Sequence, residues 1–384
     1  MKVYFDNAAT TPLHPKVLEK MLPFLKEDFG NASSIHSYGR KVRVAIEEAR
    51  ETIAAFINAN PSEIYFTSGG TEANNFVLSG IARSEFEESG RNHIITTKSE
   101  HHCVLDSAAE LHKTKFELSL VDSTKGTKVS ESSVLQLIKS NTSLISVINV
   151  NNETGAVNPI AELAAHAKDR NIFIHTDAVQ NFGKKIIDVK QLGVDALCAS
   201  AHKINGPKGI GFAYVKSGTP LSSLIFGGSQ ERNRRGGTEN AAAIVGFAAA
   251  IKIAGENIEE NERHVKKLRE RLLAGLKSIA DGRIRINGGE DSSPYILSVT
   301  FKSEFYNNDS EAMLMYLDIN GVAASNGSAC TSGTLKPSHV ILAAGYSTED
   351  ANGTIRFSFG QQNTEHEVDY VLEVLEKFEK KFRI

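Results

Sequence analysis

The feature that most limits the fold of this chain is the alternation, from residue 60 onward, of short apolar segments with longer amphipathic ones. The short segments are rich in β-branched residues and predict strands, whereas the longer ones carry apolar residues at helical spacing. Repeated strand–helix–strand units predict an α/β fold with a mostly parallel sheet covered on both faces. The predicted strands are 64–67, 93–97, 116–121, 144–150, 172–176, 196–200 and 211–215, and helices 71–83, 102–112, 132–139 and 160–169 lie between the first five.

The pattern changes after Thr238, which indicates a second, smaller domain. Residues 240–279 are alanine-rich and then heavily charged, as expected of one long helix that leaves one core and enters another. The remainder of the chain mixes strands and helices, which is typical of an α+β domain. We therefore predict a large α/β domain over 58–254 and a small α+β domain over 255–384, with an arm at 1–14 and N-terminal helices within 15–57 that pack with the small domain.

Composition and charge exclude several classes of function. The chain has 43 Lys and Arg against 46 Asp and Glu, a net charge of −3, so no basic excess is present to bind nucleic acid or an anionic membrane. Its 3 cysteines are an odd number and lie far apart, which argues against a disulfide framework. The N-terminus has no apolar stretch like a signal peptide, and no run approaches the roughly 20 apolar residues of a membrane span. We expect a cytoplasmic protein.

Two side chains of complementary chemistry follow predicted strands. Lys203 comes just after the strand 196–200, and Asp177 closes the strand 172–176. Open α/β sheets bind their ligands at the carboxyl ends of parallel strands. Either residue alone would more often be an ordinary loop residue. Together they fit pyridoxal phosphate, because the amine forms a Schiff base and the carboxylate keeps the pyridine nitrogen protonated.

The candidate phosphate cradle is the segment 68–75, Ser-Gly-Gly-Thr-Glu-Ala-Asn-Asn, between a strand and a helix. Glycines let the backbone approach an anion, and the helix N-terminus directs amide groups towards it. The alternative is a tight turn with Thr71 as the N-cap. His101 follows the strand 93–97, where an imidazole can stack on a pyridine ring. We do not adopt a zinc site at His101, His102 and Cys103, because adjacent side chains diverge and no fourth ligand has a suitable spacing.

The cysteines differ in their surroundings. Cys198 lies within an apolar strand and is predicted to be part of the core, whereas Cys103 begins a predicted helix and its role stays open. Cys330 lies in a stretch of small and polar residues, 325–333, without apolar neighbours. A reactive cysteine needs such exposure, while a structural one is usually buried among hydrophobic residues. Composition alone leaves both roles open for Cys330.

Taken in order, these motifs resemble the cysteine desulfurases of the NifS/IscS type, in the class V aminotransferase group. The resemblance covers residues 4–12, 30–36, 67–75, 150–155, 177–180, 200–211, 235–238, 325–332 and 355–358. It implies a fold type I transferase that depends on pyridoxal phosphate, with a mostly parallel central sheet in the large, cofactor-binding domain. The smaller α+β C-terminal domain would carry the catalytic cysteine in a flexible loop.

The resemblance also implies roles for individual residues. Lys203 would hold the cofactor, His101 would stack on its ring, and Cys330 would be the nucleophile. The cofactor-binding residues would be Gly70, Thr71, His101, Asn152, Asp177, Gln180, Ser200, His202, Lys203 and Thr238. Among them, Asn152 and Gln180 would lie near the ring O3′, and Gly70, Thr71, Ser200 and His202 would bind the phosphate. Thr238 would reach the phosphate from the other subunit of a homodimer. Arg356, helped by Asn31, would bind the carboxylate of the substrate L-cysteine.

The implied reaction removes sulfur from L-cysteine and leaves alanine and a persulfide on Cys330, for an acceptor protein such as an iron–sulfur cluster scaffold. Two features depart from the family pattern. Asn326 stands where serine is usual. The chain also ends at Ile384, soon after its last predicted helix, whereas many members continue with a tail that docks the scaffold. We therefore do not expect docking in the usual manner. The alternatives are another enzyme of this fold, an aminotransferase or a selenocysteine lyase, or a non-catalytic sulfur-relay partner without the cofactor.

Overall fold

The computed structural model describes residues 1–327 and 336–384. The strands are β1 (Val3–Tyr4), β2 (Ile64–Thr67), β3 (His93–Thr97), β4 (Glu117–Val121), β5 (Thr142–Ser146), β6 (Phe173–Asp177), β7 (Ala196–Ser200), β8 (Gly211–Val215), β9 (Ile284–Ile286), β10 (Ile296–Phe301), β11 (Val322–Ala323) and β12 (Thr354–Ser358). The helices are α1 (Pro15–Lys26), α2 (Ser37–Phe56), α3 (Gly70–Ser89), α4 (His102–His112), α5 (Glu131–Leu135), α6 (Ile160–Lys168), α7 (Val189–Leu192), α8 (Gln230–Asn233), α9 (Ala241–Glu256), α10 (Ile258–Ile279), α11 (Ser310–Ile319), α12 (His339–Ala343), α13 (Thr348–Asn352) and α14 (Glu365–Phe382).

The central sheet has the strand order β2-β8-β7-β6-β5-β3-β4 within the residues that the structure describes. Neighbouring strands from β4 to β7 run parallel, while β8 is antiparallel to both β7 and β2. The prediction of a mostly parallel central sheet is therefore confirmed. Helices α3 and α4 cover one face, and α2, α6 and α9 cover the other. Because both faces are covered, every residue of a central strand such as β7 is buried.

Strand β5 is shorter than the predicted strand 144–150 and ends at Ser146. Its continuation nevertheless stays beside β6, because the amide of Val147 donates to the carbonyl of His175 at 3.1 Å and that of Asn149 to Asp177 at 2.9 Å. The chain then leaves the sheet in a buried turn at 151–155. This turn lies next to the end of β6 and so borders the same edge of the sheet as Asp177.

Helices α1 and α2 pack on the large domain, not on the small domain as expected for residues 15–57. Val42, Ile46 and Ile53 of α2 are buried in the same core as the sheet strands. Both helices contact α9, which is rich in alanine and contributes Phe247 to that core. An amphipathic pattern shows which face of a helix is buried but not what covers it. The expectation for 15–57 is therefore corrected.

The segment predicted as one helix, 240–279, is two helices in the structure. Asn257 separates them with φ −133° and ψ 19°, outside the helical region, and α9 and α10 are bent by 73°. Helix α9 packs in the large core, whereas α10 places Val265 and Leu268 in a second core with β10, β12 and α14. Among the residues described, no single helix is long and apolar enough to span a membrane, and α9 and α10 reach that composition and length only as a bent pair.

Residues 1–14 form an arm that links the two cores. Strand β1 pairs in parallel with β11, and the ring of Phe5 packs on that of Phe359 with centroids 5.0 Å apart. Further along the arm, the amide of Thr11 donates to the carbonyl of His202 at 2.9 Å. The arm therefore runs from the core of the small domain to the carboxyl end of β7.

Candidate active site

A cavity of about 470 Å³ lies at the carboxyl ends of the parallel strands, where both domains and the arm meet. Ten residues proposed from the sequence line it: Gly70, Thr71, His101, Asn152, Asp177, Gln180, Ser200, His202, Lys203 and Arg356. Asn31 and Thr238 are exposed and are not among the described lining residues, and the Asn31 Oδ1 accepts from the amide of Ser33 at 2.8 Å. Cys330 lies outside the residues that the structure describes.

Lys203 follows β7 in a short 3₁₀ turn. Its Nζ donates to the carbonyl oxygens of Ala8 and Ala9 in the arm, at 2.6 and 2.7 Å. Burial and the charge of Arg356 lower the pKa of Lys203 to about 8, since both disfavour the ammonium form. A useful fraction of this amine is therefore neutral near neutral pH and able to act as a nucleophile.

Asp177 ends β6 and is held from two sides. Its Oδ1 accepts from the amide of Val179 and its Oδ2 from the Nδ2 of Asn74, both at 2.9 Å. Burial raises the pKa of Asp177, although the His101 imidazole, the hydrogen bonds from Val179 and Asn74 and the charge of Lys203 oppose this. A buried carboxylate fixed in this way fits a ligand that brings a positive N–H group of its own, such as a pyridinium ring.

His101 is the N-cap of α4, and its Nδ1 accepts from the amide of Cys103 at 3.1 Å. Burial lowers the pKa of His101, so the imidazole is neutral near neutral pH. A neutral ring fixed by one nitrogen suits stacking on another aromatic ring. In the described part of the chain, no three His, Cys, Asp or Glu side chains come together in a way that could hold a metal ion.

The two cysteines that the structure describes are both buried. Cys198 is fully buried in β7, as predicted for a core residue. Cys103 lies in the first turn of α4, with its Sγ 3.9 Å from the Oδ2 of Asp177. Burial raises the pKa of both thiols, and the charge of Asp177 adds to this. Both cysteines are therefore un-ionised and unsuited to act as nucleophiles.

The candidate phosphate site lies at the start of α3. The helix begins at Gly70 after an N-cap at Gly69, so the alternative with Thr71 as N-cap is wrong. A Cβ on Gly70 would lie 2.8 Å from the Cγ2 of Val179, and glycine is therefore required for this close packing. Free amides at the helix start, with a hydroxyl at Ser200, form a surface that fits a phosphate group.

His202 lies on the other side of this end of the cavity. Its Nδ1 is 3.1 Å from the Oγ1 of Thr10 in the arm. Burial and the charge of Lys203 lower the pKa of His202 to about 4. The imidazole is therefore neutral at physiological pH and contributes hydrogen bonds, not charge, to this part of the cavity.

Arg356 reaches the opposite part of the cavity from β12. Its Nη2 donates to the Oδ1 of Asp6 at 2.9 Å and its Nη1 to the carbonyl of Asn152 at 2.7 Å. Its Nε is buried without a partner among the residues described. A buried guanidinium with an unused N–H group and one carboxylate partner fits the binding of a second carboxylate.

Two functional neighbours were missed by sequence reasoning. Asn74, which fixes Asp177, lies four positions after Gly70 and thus one helical turn further along the same face of α3. That spacing was the available signal. Asp6, which pairs with Arg356, gave no comparable signal, because the two residues are 350 positions apart.

The fold and this cavity together define a fold type I enzyme that depends on pyridoxal phosphate, with a lysine and an aspartate at neighbouring strand ends and an anion-binding helix start. The chain belongs to the class V aminotransferase family ("Aminotransferase class-V"), which it matches over residues 3–371.

Relatives within this family share the full length of the chain. A protein named cysteine desulfurase IscS from Clostridium botulinum is 44% identical over 383 residues, which are 100% of this chain and 95% of the relative. A solved NifS-like protein superposes with a TM-score of 0.90 at 36% identity, covering 98% of this chain and 99% of that one. A structure titled "SspA in complex with cysteine" has a TM-score of 0.83 at 34% identity, covering 94% and 100% of the two chains.

Uptake of pyridoxal phosphate by the apo-protein is expected to accelerate as the pH rises towards about 8 and to level off above it. Only the neutral form of a lysine amine attacks an aldehyde, and below the pKa of Lys203 this form is the minor one. The measurement is the rate at which the visible absorbance of the bound cofactor appears at fixed pH. Arg356→Gln should move the midpoint to higher pH, because it removes a positive charge that lowers the pKa of Lys203. A midpoint near 10.5, the ordinary value for lysine, would contradict the prediction.

Proposed function

We propose that this protein is a cysteine desulfurase, which converts L-cysteine to L-alanine and retains the sulfur as a persulfide on Cys330. One observation carries the proposal: the cavity that contains Lys203, Asp177 and Arg356 is also lined by Gly327, three positions before Cys330. The start of the segment that bears the cysteine therefore borders the cavity. The names of the full-length relatives support the same reaction.

The cavity provides a partner for each part of the cofactor. Lys203 would hold it covalently, Asp177 would keep its ring nitrogen protonated, and His101 would stack on the ring. Gly70, Thr71, Ser200 and His202 would bind the phosphate, and Asn152 and Gln180, which line the same cavity, would lie near O3′. Gln180 already donates from Nε2 to the carbonyl of Ala8 at 2.9 Å, and its Oε1 is buried without a partner among the described residues. When bound, pyridoxal phosphate supplies an electron-poor ring that draws electrons from the substrate Cα.

The substrate is positioned and deprotonated by the chain's own side chains. Arg356 binds the substrate carboxylate through the N–H groups that its partners leave unused. Lys203 is the amine that would remove the Cα proton of the bound substrate, and a pKa of about 8 suits that task. The neighbouring neutral His101 and His202 add no positive charge that would oppose the protonation of Lys203.

Sulfur transfer requires the Cys330 thiolate, which is the nucleophilic form of cysteine. The thiolate attacks the substrate sulfur, and the new S–S bond forms as the substrate C–S bond breaks. The electron pair of the C–S bond passes to the substrate Cβ, which takes up a proton and becomes the methyl group of alanine, while Lys203 returns to Cα the proton that it removed. Substrate and enzyme thiols are thereby converted to alanine and one protein persulfide, without an external oxidant or reductant.

We also infer the protein's partners and location. Thr238 is exposed and lies away from the cavity of its own chain, next to Arg235 and Glu239. This position supports a homodimer in which Thr238 reaches the phosphate site of the other subunit. The persulfide would then pass to a sulfur-acceptor protein, such as an iron–sulfur scaffold, in the cytoplasm.

The proposed reaction is tested by the products formed from L-cysteine. With a reductant to release the persulfide sulfur, the enzyme is expected to form sulfide and alanine in equal amounts over many turnovers, since each cycle breaks one C–S bond. Both products are quantified in parallel from one reaction, with the apo-protein as the control. Pyruvate in place of alanine, or amino-group transfer to a keto acid, would favour another enzyme of the family.

A further inference from the structure

The buried turn at residues 151–155 contacts three separate parts of the site, and none of the roles above uses its glutamate. The side chain of Asn151 fixes the turn, because its Oδ1 accepts from the amides of Glu153 and Thr154, each at 2.9 Å. Its Nδ2 donates to the carbonyl of Ser99 at 2.8 Å, which attaches the turn to the end of β3. The turn is therefore a rigid feature of the large domain.

Glu153 contacts the chain on both sides of the segment that contains Cys330. On the near side, a Cβ built on Gly327 would lie only 2.7 Å from the Glu153 Oε2, so the carboxylate packs directly on the backbone there. On the far side, the Oγ of Ser338 donates to the same Oε2. These two contact points lie three positions before and eight positions after Cys330.

Further contacts around Glu153 hold the chain in place on the far side of the Cys330 segment. Ser338 is the N-cap of α12, and its Oγ accepts from the amide of Ile341 at 3.2 Å. His339 places its Nδ1 3.9 Å from the Glu153 Oε1, and its Nε2 is 2.9 Å from the carbonyl oxygen of Glu100. Glu153 is itself only 3% exposed, so these contacts are shielded from water.

The same turn also touches the group assigned to the substrate carboxylate. The carbonyl of Asn152, the residue before Glu153, accepts from the Nη1 of Arg356 at 2.7 Å. One short turn thus contacts Arg356 through its backbone and both flanks of the Cys330 segment through a side chain. Because the turn is rigid, it fixes the distance between these elements.

We infer that Glu153 is a positioning residue for sulfur transfer, which fastens both flanks of the Cys330 segment at a set distance from Arg356. The inference rests on the proposed function, because it assigns Glu153 to the step that Cys330 performs. Glu153 acts through the segment, because it is not among the described residues that line the cavity. Its loss should therefore slow the attack on the substrate sulfur and spare the earlier removal of the Cα proton.

The test compares Glu153→Ala, Glu153→Gln and Ser338→Ala with the parental holoenzyme and with Glu290→Ala, a change at an exposed glutamate. Deuterium uptake at the substrate Cα reports the proton-transfer step. Mass spectrometry of the protein after a single turnover reports the rate of persulfide formation. Amide hydrogen exchange of the peptide 338–345 reports, independently of catalysis, whether the far flank is still fastened.

In Glu153→Ala we expect persulfide formation to slow by about tenfold or more, since small displacements of reacting groups have effects of this size. Deuterium uptake at Cα should stay within about threefold of the parental rate, and exchange at 338–345 should become about tenfold faster. Glu153→Gln keeps an oxygen for Ser338 and should retain most of the parental rate. The rate of persulfide formation in Ser338→Ala should lie between the rates of Glu153→Ala and Glu153→Gln. Glu290→Ala should match the parental protein in all three measurements.

Two results would overturn the inference. The first is persulfide formation at the parental rate in Glu153→Ala. If that variant does not fold, the parental rate in Ser338→Ala, together with faster exchange at 338–345, has the same meaning. The other is an equal loss of Cα deuterium uptake and persulfide formation, which would place Glu153 in the earlier step. Failure of the proposed function looks different, because the parental enzyme itself would then release alanine and sulfide without a persulfide on Cys330.

Discussion

Replacement of Lys203 with alanine is expected to abolish both turnover and the visible absorbance of covalently bound cofactor, while the fold stays intact. The amine is the only group assigned to hold the cofactor covalently and to remove the Cα proton, so no residual path remains for either. Its structural role is small. Its Nζ bonds only to the carbonyls of Ala8 and Ala9 among the described contacts, and its lowered pKa shows that the folded protein disfavours its charge.

Whether Lys203→Ala raises or lowers the stability of the fold depends on the direction in which folding shifts the pKa of Lys203. A lysine whose pKa is lower in the folded state than in the unfolded chain binds its proton more weakly when folded, so stability is lost as the pH falls from about 10.5 to about 8, and the whole loss is present at pH 7. The apo-protein of Lys203→Ala should therefore have a Tm at pH 7 within about 3 °C of that of the parental apo-protein, or a higher one. Absorbance spectra, turnover and thermal unfolding are measured side by side, with Lys185→Ala as the control because Lys185 is half exposed and pairs with Glu262. A Lys203→Ala protein that remains yellow and active would refute the cofactor assignment.

Replacement of Cys330 with serine is expected to stop persulfide formation, with alanine release from L-cysteine falling by at least about 10³-fold. A serine hydroxyl is similar in size but essentially un-ionised at neutral pH, and it cannot accept sulfane sulfur. In the proposed mechanism, every step up to loss of the Cα proton depends on Lys203, Asp177 and Arg356. Cysteine binding and the spectral change that accompanies it should therefore persist in the variant.

The other thiols cannot replace Cys330 in this role. Cys103 and Cys198 are buried and their pKa values are raised, so neither supplies a thiolate. A thiol-alkylating reagent should accordingly inactivate the parental enzyme and leave the spectra of Cys330→Ser unchanged. Alanine and sulfide production by Cys330→Ser at close to the parental rate would replace the persulfide mechanism with a lyase, in which the cofactor alone expels the sulfur.

Sequence patterns predicted the parts of the site that depend on local structure. Lys203 and Asp177 were identified because each follows a continuous apolar strand, and strand ends in a parallel sheet meet at one edge. The glycines before α3 were identified because a strand, a glycine pair and a helix follow one another directly. In all these cases the chemistry and the element that positions it lie within a few residues of each other.

Features that depend on distant partners were not predictable in the same way. The amphipathic pattern of α2 is clear, but the partner that covers its buried face is α9, about two hundred positions away, and the predicted partner was the wrong domain. The pairing of Asp6 with Arg356 likewise has no local signature. Asn31 and Thr238 were assigned from resemblance, and neither is among the described residues that line the cavity of a single chain.

The arm has a further consequence for the order in which the enzyme matures. Asp6 and Ala8 are synthesised long before Arg356 and Ser358, yet the Asp6 carboxylate binds Arg356 and the Ala8 amide donates to the Ser358 hydroxyl at 2.8 Å. A growing chain on the ribosome can therefore form most of the central sheet, but not the wall that the arm and β12 build together. The cavity is complete only when nearly the whole polypeptide has emerged, so incomplete chains cannot bring Arg356 and Lys203 together to act on free cysteine.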